Sequence, residues 1–297
     1  MQSLTSRLMP IVMTLRGAKR RYSSAERTLA RVEKSREHPV SWAPPAGLAK
    51  RVHIEETTVG GIPVYTVGPL DGTASRFALY LHGGSYVFQI ARQHWSLIAD
   101  LAATAGIRFT VPIFPPAPDA TATAIVPAMT DLAAGMIAEH GARAFGLFGD
   151  SAGGGMALAV AQQLRDRGFP APRATVLISP WLDISGTDPR LAEISPRDPW
   201  LAVPGSRAAG DLYRGDLSEF DPLVSPLYGN LLGLGPITMF SGTRDILNAD
   251  AHRFVDAAAV AGVDVDFHEV PGMIHVYPLL PIPEAKTARE VMRHAMR

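Results

Sequence analysis

A serine between glycines, Gly149-Asp150-Ser151-Ala152-Gly153, is where residue types and spacing in this sequence first could do chemistry. The apolar run 144–148 before it suits a buried strand, and the alanine-rich stretch from Met156 past Leu164 suits a helix. A strand that reverses straight into a helix must turn sharply. Glycines at 149 and 153 remove the Cβ atoms that would collide, and Ser151 is left at the tip with its hydroxyl outward, as in a nucleophile elbow. The pentapeptide alone is weak, since a chain of this length carries it by chance about one time in ten. A phosphate loop would also put glycines between strand and helix, but these do not fit G-x-G-x-x-G and no G-K-[ST] follows.

Ser151 therefore needs partners: a base, a group to orient it, and donors for an oxyanion. In an open parallel sheet such residues lie just past the C-terminal ends of strands. The predicted strand 236–240 is followed by Ser241-Gly242-Thr243-Arg244-Asp245, and strand 263–270 by Pro271-Gly272-Met273-Ile274-His275. Strand 76–82 runs into Gly83 and Gly84. The order Ser, Asp, His is the one expected of an elbow enzyme. Of nine histidines, His275 alone follows a predicted strand through a glycine-containing loop, which marks it as the base. Asp245 is its acid by position, with helix capping near Leu247 as its bland alternative and Asp250 as its rival. His82 reads as structural, tying its loop together. His268, Glu269 and His275 lack H-E-x-x-H spacing, so no metal site is expected, and the chemistry requires no cofactor.

The elements that must position these residues follow from the pattern. Residues 1–43 read as helical, with Leu4, Leu8, Ile11, Val12 and Leu15 on one face and Ser23-Ser24-Ala25-Glu26 opening a second helix. The basic character of this segment suits a membrane-surface helix. Its narrow apolar face and Pro10 favour an arm packed on the body. Strands at 51–57 and 62–67 flank a Gly60-Gly61 turn as an antiparallel hairpin. Buried strands at 76–82, 107–114 and 173–180 then alternate with helices at 93–105 and 123–140. Segment 181–235, rich in Pro, Asp and Gly, breaks the alternation as a lid or binding insertion would. Helices at 249–261 and 283–296 close the chain. Such a pattern predicts an α/β fold with a mostly parallel sheet covered on both faces.

Composition excludes several classes. At 297 residues one large α/β domain is expected. The 28 Lys and Arg balance 28 Asp and Glu, so no nucleic-acid partner is expected. The absence of cysteine removes disulfides, thiolate metal sites and a cysteine nucleophile. The run 8–15 is too short to span a bilayer, which leads to an expected cytoplasmic protein without stable membrane insertion.

Taken together, HGGSY at 82–86, GDSAGGG at 149–155, GTRDIL at 242–247 and GMIHVYPL at 272–279 resemble the hormone-sensitive-lipase family of α/β-hydrolases. SPWLDIS at 179–185 and DPLVSPLYG at 221–229 are similar to further blocks of that family. The resemblance implies an eight-stranded, mostly parallel sheet. It also implies a helical cap built from an N-terminal arm (1–45) and an insertion (183–225) on a core of 46–182 and 226–297. It makes Ser151 the nucleophile, His275 the base and Asp245 its partner. The amides of Gly83, Gly84 and Ala152 become the oxyanion donors. Ser85 stands where the family has a third glycine, which adds Ser85 to the candidates. The segment from Ile113 to Asp119 replaces the family's Y-R-L-A-P-E block, which bears on loop shape.

The expected activity is hydrolysis of short-chain carboxylic esters through an acyl-enzyme, rising with pH as His275 deprotonates near about 6.5. A lactonase, amidase or peptidase with the same triad is the alternative within hydrolases, and a non-catalytic binding relative the alternative outside them. The partner is a small-molecule ester, and a homodimer is left open.

Overall fold

The computed structural model describes residues 2–297. The N-terminal arm holds α1 (Leu4–Leu15) and α2 (Ala25–Glu37), capped by the Ser3 and Ser24 hydroxyls, which accept the amides of Ser6 and Arg27. A hairpin follows, β1 (His53–Val59) and β2 (Ile62–Gly68). Gly60 and Gly61 between them both take positive φ, as a tight hairpin turn requires. The alternating region comprises β3 (Arg76–Leu81), α3 (Arg92–Ala105), β4 (Ile107–Pro112), α4 (Ala122–His140), β5 (Phe145–Asp150), α5 (Ala152–Asp166) and β6 (Ala174–Ile178). The insertion holds α6 (Leu191–Ile194) and α7 (Val203–Arg214). The chain ends with β7 (Ile237–Arg244), α8 (Asn248–Val260), β8 (Val265–Ile274) and α9 (Pro283–Ala295).

The eight strands form one sheet in the order β1-β2-β4-β3-β5-β6-β7-β8. Pairing is antiparallel at β1–β2 and β2–β4 and parallel from β4 to β8. Strand alternation divides the core. Leu79, Leu81, Leu147, Leu177 and Met239 face α4, α5 and α8, while Tyr80, Phe148, Val176, Ile178 and Phe240 face α3 and α9. The central strands are buried on both faces, which is why they read as continuous apolar runs. In the arm, α2 lies along α7 of the insertion, so the two segments that interrupt the alternation pack together.

Two expectations need correcting. Residues 241–244 and 271–274, expected as loops, continue β7 and β8, with a register shift between Gly242 and Arg244. Pro271 is tolerated because β8 is an edge strand that loses no ladder bond there. Helix α1 also does not pack by the expected face: Leu4, Leu8, Ile11 and Leu15 are exposed and only Val12 is half-buried, while Ser6 and Pro10 are buried. Its docking is set by polar anchors at its first turn. Glu284, at the start of α9, accepts the Ser3 amide at 2.6 Å and the Ser3 and Ser6 hydroxyls at 2.9 Å.

Candidate active site

Ser151 links β5 to α5 with φ 52° and ψ −122°, a conformation costing about 1–3 kcal/mol for a residue with a Cβ. Its surroundings impose it. The Ser151 amide donates to the Ile178 carbonyl at 2.8 Å, and the Trp181 amide donates to the Ser151 carbonyl at 2.8 Å, so the elbow is pinned to the end of β6. A Cβ on Gly149 would lie 2.2 Å from the Gly153 carbonyl oxygen, and one on Gly153 would lie 2.0 Å from that of Leu81. The second clash is with neighbouring β3, not with the strand that enters the turn.

Register brings the other two residues together. Arg244 and Ile274 are paired across β7 and β8, so Asp245 and His275 leave the sheet side by side. His275 Nδ1–H donates to Asp245 Oδ2 at 2.8 Å, and its Nε2 accepts the Ser151 hydroxyl at 2.9 Å. Asp245 Oδ1 accepts the Leu247 amide at 3.0 Å, so its capping and its orienting of His275 coexist. All three residues are buried. Burial pulls the His275 pKa down, but the Asp245 carboxylate, with Asp198 and Asp150 adding to it, more than offsets this and leaves it above the ordinary histidine value. The rival Asp250 bonds Arg253 at 2.8 Å, in a cluster with Asp183 and away from the imidazole.

The loop after β3 is held by groups that the sequence reading did not assign. Asp150 accepts the Tyr80 hydroxyl at 2.8 Å, the Gly83 amide at 3.0 Å and His94 Nε2–H at 3.1 Å. His94 Nδ1 accepts the Ala91 amide at 2.8 Å, which leaves the proton on Nε2. Burial alone would raise the Asp150 pKa, yet His94, Tyr80 and the Gly83 amide hold it below the usual carboxylate range. This corrects the oxyanion set: the Gly83 N–H is committed to Asp150. The amides of Gly84, Ser85 and Ala152 have no protein acceptor among the described residues, and Gly84 and Ser85 line the cavity that Ser151 and His275 share. His82 ties the loop as expected. Its Nδ1–H donates to the Gly83 carbonyl at 2.8 Å, its ring stacks on Phe114 at 4.3 Å, and burial beside His94 pushes its pKa down to about 4.

Ser85 keeps a glycine-like backbone, φ 55°, and its hydroxyl is 2.9 Å from that of Tyr22 in the arm. Phe114 lies within the segment that replaces the family's usual block, and the Ala117 amide donates to the Tyr86 carbonyl, so that segment buttresses the loop. From the insertion, Trp200 meets His275 edge-on at 5.7 Å. Asp198 accepts the Trp200 and Leu201 amides at 2.7 and 2.9 Å and the Ile246 amide at 2.9 Å, clamping the insertion to the turn that carries Asp245. Burial, with Asp245 beside it, pushes Asp198 up to about 6. Nothing in the insertion's composition pointed to Asp198. His94, three residues into a helix without a polar N-cap, carried only a capping signal. The cavity holds about 250 Å³, walled by Tyr22, Phe88, Trp200, Leu201 and Leu279 as well as Ser151 and His275.

A sheet of this topology with an elbow serine, an imidazole and a buried carboxylate in line defines an α/β hydrolase. A family model described as α/β hydrolase fold matches residues 78–279, and the chain belongs to that family. Within it, the chain falls in the hormone-sensitive-lipase group. An esterase from the bacterial hormone-sensitive lipase family superposes with a TM-score of 0.78 at 28% identity, covering 92% of this chain and 97% of that one. An acetyl-hydrolase of Streptomyces hygroscopicus is 36% identical over 227 residues, 73% of each chain. A triacylglycerol lipase of Mycobacterium tuberculosis is 34% identical over 249 residues, 82% of this chain and 52% of the lipase. The chain thus spans about half the length of that lipase. Among the described residues no helix is long and apolar enough to cross a membrane.

Proposed function

We propose that this chain is a serine carboxylesterase that hydrolyses short-chain carboxylic esters. The observation that carries the reading is the unbroken line from Ser151 Oγ through His275 to Asp245, at 2.9 and 2.8 Å. Ser151 attacks the ester carbonyl as His275 Nε2 takes its proton, and Asp245 holds the tautomer and steadies the imidazolium. The oxyanion is received by the free amides of Gly84, Ser85 and Ala152 at the N-terminal end of α5, each such donor being worth about 3–4 kcal/mol. His275 then protonates the leaving alkoxide. Water, activated by the same imidazole, releases the acid from the acyl-enzyme.

The arm and the insertion serve as the cap. A cavity of about 250 Å³ suits acetyl to butyryl groups better than long acyl chains, and the acetyl-hydrolase among the relatives agrees with that size. The test is labelling by a fluorophosphonate, with turnover of acetate, butyrate and longer esters, in wild type and Ser151→Ala. The reading expects labelling and turnover of the short esters, both lost in the variant. Near-normal turnover by Ser151→Ala would sink the nucleophile, and a preference for long acyl chains would sink the substrate class.

A further inference from the structure

Helix α1 carries apolar residues on two opposite sides. Met9 and Met13 turn toward the core layer of α3 and α9, and Pro10 is buried. Leu4, Leu8, Ile11 and Leu15 lie on the other side, within roughly 60° of one another at 3.6 residues per turn. They are 74, 49, 55 and 83% exposed. A surface helix normally turns its polar face to water, so an outward stripe of this kind calls for a cover. The helix is not free to roll over and bury it, because Glu284 grips Ser3 and Ser6.

Charge identifies the cover. Arg7 flanks the stripe, and Arg16, Lys19, Arg20 and Arg21 follow it, while the first acidic residue of the chain is Glu26. Among the described residues none of these five cations pairs with a carboxylate. At the C-terminal end of the helix, Leu15, Lys19, Arg20, Arg27 and Arg244 border an open cleft of about 730 Å³. A second copy paired on this face about a two-fold axis would set the same cations against each other. An anionic bilayer accepts both parts, the aliphatic side chains among its acyl chains and the cations at its headgroups.

We propose that α1 is a peripheral docking helix that lays Leu4, Leu8, Ile11 and Leu15 into the interface of an anionic membrane. Arg21 and Tyr22, in the short turn that follows α1, line the cavity that holds Ser151, so docking brings that cavity close to the lipid. Esters dissolved in the bilayer then become substrates of the site. That consequence rests on the esterase reading, whereas docking itself does not.

The test is flotation of the full chain with vesicles of phosphatidylcholine, alone or with about 30% phosphatidylglycerol. Partitioning onto the anionic vesicles is expected to be at least about tenfold stronger than onto neutral ones, and to weaken as salt is raised. The Leu8→Ser/Ile11→Ser variant should lose it while keeping its melting temperature and its rate on a water-soluble aryl acetate. Absence of binding, equal binding to neutral vesicles, or binding unchanged in the variant overturns the proposal. So does a solution dimer that the variant splits. Binding by a chain that cleaves no ester would leave docking intact and remove only the esterase reading.

Discussion

Replacing Asp245 by asparagine probes the site most directly, because the two carboxylate oxygens have different partners. Oδ1 accepts the Leu247 amide at 3.0 Å, and Oδ2 accepts His275 Nδ1–H at 2.8 Å. Asparagine offers one oxygen and one NH2 group. If its oxygen stays on His275, the NH2 meets the Leu247 N–H, and a buried donor left unpaired costs about 1–3 kcal/mol. If the oxygen stays on Leu247, the NH2 faces Nδ1, which must then be unprotonated. The ring proton moves to Nε2 and points at Ser151, and His275 no longer accepts the serine proton. The second arrangement keeps every backbone bond, so it should prevail. Losing the tautomer in such a triad lowers kcat about ten-thousand-fold, or roughly 5 kcal/mol at 1.36 kcal/mol per factor of ten. The assay is steady-state turnover of an aryl acetate by Asp245→Asn, with a thermal melt to show that the fold persists. KM should change little, because Asp245 is walled off from the cavity by the imidazole. A folded variant that loses less than about tenfold in kcat would refute the reasoning.

Three further outcomes concern His275 and the residues around it. The base works when neutral, so kcat/KM should rise with pH through the His275 pKa, on the high side of the ordinary histidine value because Asp245 outweighs burial. Removing a nearby negative charge with Asp198→Asn should move that acid limb to lower pH, and a limb that does not move would exclude Asp198 from the electrostatics of the base. Tyr22→Phe removes the partner of the Ser85 hydroxyl, a bond worth about 1 kcal/mol. It should lower kcat/KM for an aryl acetate roughly fivefold with the melting temperature nearly unchanged, and an unaltered rate would show that the arm does not help hold the oxyanion loop.

Several features could be read from contiguous residues because backbone sterics and strand ends are local. Gly149 announces a turn that excludes a Cβ, which would meet the Gly153 carbonyl four residues on, whereas at Gly153 the excluding atom is the distant Leu81 carbonyl oxygen. Asp245 and His275 could be singled out as candidates because each closes a short segment that follows a predicted strand. What sequence could not supply were partners drawn from distant segments. The Gly83 amide looked like an oxyanion donor until folding brought Asp150 within 3.0 Å of it. Asp198 became a clamp only when the insertion folded back on Ile246. Helix α1 shows the difference most plainly. Periodicity marked its leucine stripe, but which side faces the core is set by Glu284 at the far end of the chain, so composition told that the stripe exists and tertiary packing decided that it looks outward. A hydrogen bond depends on where two atoms finish in space, and that is decided by the whole fold.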